Sequence, residues 1–78
     1  MKLTILSPEG EKLSADGLSA VELPGAKGRF VVLAGHAPLI SSLDAGVVRY
    51  DSDEGRSTFE IKGGFVEIIE DNIIVCAD

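Results

Sequence analysis

Apolar and polar residues alternate along much of this chain with a period of two. Lys2-Leu3-Thr4-Ile5-Leu6 sets Leu3 and Ile5 on one face and Lys2 and Thr4 on the other, which predicts a half-buried strand. Ser7-Pro8-Glu9-Gly10 ends it: Pro8 presets φ for the second turn position and Gly10 suits the fourth. A short extended piece from Glu11 to Ala15 runs into Asp16-Gly17, a hairpin or turn signal. Leu18 to Leu23 predicts the next strand, closed by Pro24-Gly25-Ala26-Lys27-Gly28. Arg29-Phe30-Val31-Val32-Leu33 is apolar on both faces, which predicts a strand with little exposure. Ala34-Gly35-His36-Ala37-Pro38 breaks the pattern again.

Leu39-Ile40-Ser41-Ser42-Leu43 reads as a strand or an irregular edge, and Asp44-Ala45-Gly46 as a turn. Val47 to Tyr50 and Thr58 to Lys62 alternate clearly around the polar loop Asp51 to Ser57, so they predict a hairpin. Gly63-Gly64 marks a bulge or a place where another backbone comes close. Phe65 to Ile69 and Ile73 to Ala77 flank Glu70-Asp71-Asn72 and predict a second hairpin. No long window free of Gly and Pro has a 3.6-residue period, so essentially no helix is expected. Many short strands with Gly and Pro turns imply an all-β fold, a sandwich or a flattened barrel. Nothing divides the chain, so residues 1–78 are expected to form one domain.

Composition narrows the function. A chain of 78 residues with a single cysteine cannot make an internal disulfide, and a domain of this size is marginal without a partner or a metal. The formal charge of -6 argues against a nucleic-acid-binding face and against an anionic lipid surface. No apolar run approaches the roughly 18 residues of a membrane span, and the first residues hold an apolar stretch too short for a signal peptide. The chain is therefore expected to stay where it is made. Cys76 lies in an apolar run with no basic neighbour, which predicts a buried, inert thiol.

Candidate chemistry is sparse. Asp51-Ser52-Asp53-Glu54-Gly55 begins like a calcium loop, but Gly55, Arg56 and Lys62 stand where a ligand, a glycine and a bidentate acid are needed. It reads as a solvated hairpin tip. His36, the only histidine, lacks a companion ligand nearby in the sequence and reads as a turn residue that bonds backbone or touches a partner. Pro24 to Gly28 lacks the Gly-Lys-Ser/Thr ending of a phosphate loop. The carboxylates form no pair suited to acid–base catalysis. No catalytic residue, cofactor or metal is expected.

The most informative segment is Leu33-Ala34-Gly35-His36-Ala37-Pro38-Leu39-Ile40, which has one polar side chain among small and apolar ones. An exposed loop is ordinarily polar. Either this one packs beneath the domain, or it forms an apolar patch made to be covered.

Here the sequence resembles a known family. Pro24-Gly25-Ala26-Lys27-Gly28-Arg29-Phe30, Val32-Leu33, Gly35-His36-Ala37-Pro38-Leu39-Ile40, Leu43 and Gly46-Val47-Val48-Arg49 look like the N-terminal β-sandwich of the epsilon subunit of F-type ATP synthases. Leu3 to Gly10, Gly63-Gly64-Phe65-Val66-Glu67 and Asn72 match as well. The resemblance implies a flattened sandwich of about ten short strands in two sheets. It implies a non-catalytic rotor component that binds no nucleotide and couples the gamma subunit to the membrane c-ring during proton-driven synthesis. His36, Ala37, Pro38, Leu39, Ile40 and Ser41 match the stretch implied at the gamma interface, and Ala26, Lys27, Gly28 and Arg29 the stretch implied to face the ring. The implied location is the cytoplasmic face of the bacterial plasma membrane, peripheral and without lipid insertion.

Three departures carry expectations. Arg29 reverses a charge that is often acidic in the family, so an acid or carbonyl group on the ring is expected to compensate it. Val31 and Ala34 replace Gly and Pro that are common there, which affects loop shape but not fold. No helical segment follows the last predicted strand before Asp78, so coupling without helix-borne inhibition or ATP sensing is expected. The competing reading is a free-standing sandwich that recognises a peptide or partner by an open strand edge. A rotor subunit requires an apolar sheet face joined to the His36 loop, whereas an edge binder requires an open, uncharged edge strand.

Overall fold

A computed structural model describes residues 1–78. The chain forms nine strands and no helix: β1 Lys2–Ser7, β2 Gly10–Ala15, β3 Ala20–Leu23, β4 Phe30–Leu33, β5 Leu39–Leu43, β6 Gly46–Ser52, β7 Gly55–Ile61, β8 Gly64–Ile69 and β9 Asn72–Ala77. They build a five-stranded sheet in the order β2-β1-β9-β8-β5 and a four-stranded sheet in the order β4-β3-β6-β7. The extents of 28 × 23 × 18 Å give the flattened shape expected from the sequence.

The alternation in the sequence becomes the two faces of each sheet. Leu3 and Ile5 of β1, Val66 and Ile68 of β8, and Ile73 and Val75 of β9 turn inward from one sheet. Val21 and Leu23 of β3, Val32 of β4, Val48 of β6 and Ile61 of β7 meet them from the other. No polar or charged residue is buried. The core is therefore held by apolar burial and by ladders whose backbone groups satisfy one another.

The chain is threaded by hairpins and crossings between sheets. β1 and β2 form a hairpin with a register shift at Ile5/Leu6. Asp16-Gly17, which suggested a hairpin or a turn, proves to be the crossing from the first sheet to the second, with Gly17 at φ 67. The β6–β7 hairpin pairs through Ser52↔Gly55. Its tip is thus only Asp53-Glu54, shorter than the polarity of Asp51 to Ser57 suggested, because Asp51, Ser52, Arg56 and Ser57 continue the ladder. β8 and β9 pair across Glu70-Asp71, and both residues adopt positive φ, 49 and 62, as a type I′ turn requires. β1 pairs β9 in parallel, so the two ends of the chain close the larger sheet at its centre.

Gly64 adopts φ +137, and a Cβ there would overlap the carbonyl oxygen of Cys76 and stand 3.0 Å from the Ala77 Cα. The close backbone approach anticipated at Gly63-Gly64 is therefore present. β4 differs from expectation. It is an edge strand, and Val31 and Leu33 are 52% and 58% exposed. Its apolar runs on both faces reflect an uncovered outer side rather than double burial. Cys76 also differs: it is half-buried, on the outer side of β9.

Candidate protein-docking surface

The segment from Leu33 to Leu39 passes from the edge of one sheet to the edge of the other. It opens with a turn closed by the His36 N–H donating to the Leu33 carbonyl at 3.2 Å. Gly35 stands at its third position with φ +81, the left-handed conformation of a type II turn. The Gly35 N–H donates to Asp71 Oδ1 at 2.9 Å. Nδ1 of His36 lies 2.7 Å from the Ala37 carbonyl oxygen; since that oxygen can only accept, Nδ1 carries the proton.

Of the two fates foreseen for this loop, the structure adopts the exposed one. Ala34, Gly35, Ala37 and Pro38 are exposed, His36 and Leu39 half-buried, and Ile40 is 71% exposed. The ring-matched stretch lies beside it. The Ala26 N–H donates to the Ser42 carbonyl at 2.9 Å, and Gly25 bridges Leu43. Ala26 and Lys27 thus share a groove of about 440 Å³ with Leu39, Ile40, Ser41 and Ser42. Parts of the two segments nominated from sequence, Ala26-Lys27 and Leu39 to Ser41, are therefore neighbours.

Arg29 does not join that groove. Its Nε donates to Glu22 Oε2 at 3.2 Å and its Nη2 to the Val47 carbonyl at 2.7 Å. Within the chain Arg29 thus has an acidic neighbour in Glu22. The segment from Gly25 to Gly28 closes as a turn, Gly28 N–H to Gly25 carbonyl at 3.0 Å. Gly25 is required there, because a Cβ would meet the Gly28 carbonyl oxygen at 2.6 Å and the Phe30 ring at 2.9 Å.

The two outer faces differ in chemistry. On the four-stranded sheet Glu22 and Arg49 are cross-strand neighbours, as are Asp51 and Arg56. Arg49 Nη1 lies 3.0 Å from Glu22 Oε1, and Arg56 Nε lies 2.9 Å from Asp51 Oδ1. The hydrogen bond from Arg29, with the charge of Arg49, holds the Glu22 carboxyl below its usual range. The hydrogen bond from Arg56 does the same for Asp51. These pairs share the outer side with the exposed Val31 and Leu33 of β4.

On the five-stranded sheet the outer side carries an apolar group among polar residues such as Lys2, Thr4, Glu67 and Asn72. Phe65 is 49% exposed beside Cys76, which in turn pairs Leu6. Ile74 pairs Glu67, which pairs Ile40 at the edge. Ile69 on the same face is exposed as well. Phe65, Ile69, Ile74 and Leu6 were not nominated from sequence. The signal was there in Phe65-Val66 with Ile68-Ile69, and in Ile73-Ile74-Val75-Cys76, where apolar residues occupy both faces of strands whose outer side has no covering layer. Ile40, one residue beyond the segment from Leu33 to Leu39, lies on this outer side with Glu67 between it and Ile74. No group of three or more His, Cys, Asp or Glu side chains is placed to hold a metal ion.

The chain is thus a two-sheet sandwich with uncovered apolar side chains on both outer sides, Val31 and Leu33 on one and Phe65, Ile69 and Ile40 on the other, the last beside the exposed His36 loop. The family described as "ATP synthase, Delta/Epsilon chain, beta-sandwich domain" matches residues 1–78, and the chain belongs to that family. It is 40% identical over 76 residues to the ATP synthase epsilon chain of Desulfitobacterium hafniense, covering 97% of this chain and 57% of that one. It is 40% identical over 78 residues to the epsilon chain of Symbiobacterium thermophilum, covering 100% of this chain and 56% of the relative. The epsilon chain of Helicobacter pylori strain HPAG1 is 33% identical, with 63% of its length covered. This chain therefore spans less than two thirds of these relatives. Among solved structures, a chain of the Euglena gracilis mitochondrial ATP synthase (OSCP/F1/c-ring) superposes with a TM-score of 0.85 at 22% identity, covering 96% of this chain and 48% of that one. A chain of the central stalk/c-ring structure from Tetrahymena thermophila gives 0.78 at 18% identity, covering 99% and 62%. These structural likenesses confirm the β-sandwich fold.

Proposed function

We propose that residues 1–78 act as one coupling unit in the rotor of an F-type ATP synthase, joining a gamma-type subunit to the membrane c-ring and performing no chemistry. The observation that carries this reading is the set of exposed apolar side chains Ile40, Phe65 and Ile69 on the outer side of the five-stranded sheet, beside the exposed apolar loop around His36. A free domain gains nothing from leaving Phe65, Ile69 and Ile40 in water; a partner surface that covers them stabilises both. His36, Ala37, Pro38, Leu39, Ile40 and Ser41 are assigned to the gamma side. Ala26, Lys27 and Gly28 face the ring, with Arg29 bracing the loop from behind through Glu22 and Val47. The named relatives are epsilon chains, and the structural neighbours come from central-stalk and c-ring assemblies, which supports those partners. The working location is the cytoplasmic face of a bacterial plasma membrane, peripheral, through protein contacts. Family membership does not favour the alternative of a free-standing edge-recognition module.

The test is binding to the purified gamma subunit by calorimetry or pull-down. Ile40→Asp and His36→Glu are expected to weaken capture by at least about tenfold, as a charge in the centre of an apolar interface does. Thr58→Glu, on the exposed side of β7, is expected to leave it unchanged. Undiminished binding by both loop variants overturns the assigned interface.

A further inference from the structure

The β8–β9 turn holds an unexplained cost. Its second residue, Asp71, sits at φ 62, where a type I′ turn favours glycine because a Cβ is strained there. The turn itself has no use for a carboxylate. Yet Asp71 Oδ1 accepts the N–H of Gly35, thirty-six residues upstream, at 2.9 Å. The turn is anchored at the same point, since the Asp71 carbonyl accepts the Lys2 N–H at 3.0 Å.

The donor it selects matters. Gly35 is the third residue of the Leu33–His36 turn, at φ +81. Type I and type II turns differ chiefly in the orientation of their central peptide, here Ala34–Gly35. A bond to the Gly35 N–H holds that peptide in one of the two orientations.

We propose that Asp71 is a positioning residue for the docking loop: its carboxylate locks the Ala34–Gly35 peptide in the type II orientation and so sets how His36, Ala37 and Pro38 are presented to a partner. The lock stands on the geometry of the free chain; its consequence for binding rests on the rotor reading above.

Two variants separate the bond from the backbone. Asp71→Gly removes the acceptor and also relieves the left-handed strain. Asp71→Asn keeps an oxygen acceptor on a residue that tolerates positive φ. In the free 78-residue chain, Gly35 amide exchange by NMR is expected to quicken by about fivefold or more in Asp71→Gly, with its midpoint of unfolding unchanged or raised. Capture by the gamma subunit is expected to weaken by about fivefold in the same variant. Asp71→Asn is expected to restore both readouts. A purely structural role would move stability and binding together. Unchanged Gly35 exchange in Asp71→Gly overturns the lock. Faster exchange with undiminished capture overturns the positioning role. If the wild-type chain fails to bind gamma, the rotor reading falls and takes the binding consequence with it, while Gly35 exchange still decides the lock.

Discussion

Gly64→Ala is expected to be among the most damaging single-methyl additions this chain can receive. Two costs combine. The backbone at φ +137 lies in a region L-residues rarely adopt, at about 1–3 kcal/mol. The new Cβ also overlaps the Cys76 carbonyl oxygen and crowds Ala77. These are ladder atoms of β9, so relief requires moving a central strand, at about 1–3 kcal/mol more. Gly55→Ala is the matched control, since Gly55 has φ +117 but nothing within 4 Å of the added Cβ. It bears the backbone cost alone. A domain of 78 residues has about 4–12 kcal/mol of stability in all, so the difference of about 2 kcal/mol is readily seen. Urea unfolding followed by far-UV circular dichroism measures it. With a slope near 1 kcal/mol per molar for so small a protein, Gly64→Ala is expected to unfold about 2 M earlier than Gly55→Ala. Midpoints within about 0.5 M of each other would refute the claim that backbone approach, rather than φ alone, requires glycine at this place.

Two further outcomes follow from the packing and the charges. Ile5→Ala empties a fully buried position on β1 and is expected to cost about 2–5 kcal/mol, whereas Ile40→Ala, on the open face, is expected to stay within about 0.5 kcal/mol of wild type in the same unfolding assay. The folded carboxyl of Glu22 lies below its unfolded value because Arg29 and Arg49 favour its charged form. Its contribution is therefore present above the unfolded pKa and lost as pH falls through the folded one, from about pH 5 downward. Glu22→Gln is expected to flatten that acid limb in a plot of unfolding midpoint against pH; an unaltered limb would remove Glu22 from the account.

Period-two alternation is written locally, in the choice of Leu3 and Ile5 against Lys2 and Thr4, so strands, faces and most turns were legible in the residue order alone. So was the need for glycine at Gly63-Gly64, and the anomaly of an apolar loop around His36. The sequence also carried the family resemblance, because Gly35 to Ile40 and Pro24 to Phe30 stand collinear and in combination. What it did not determine was which strand meets which. The parallel pairing of β1 with β9 joins residues some seventy positions apart, and no local pattern encodes such a partner. Edge and centre follow from that pairing: an apolar run such as Phe30 to Leu33 looks the same whether both its faces are covered or one is bare. Only the assembled sheets show that β4 is an edge, that Arg29 finds Glu22 and Val47 within its own chain, and that the turn at Asp71 reaches back to Gly35. Alternation is a property of neighbours along the chain, whereas exposure, ion pairing and long-range hydrogen bonds depend on which distant segments the closed sandwich brings side by side.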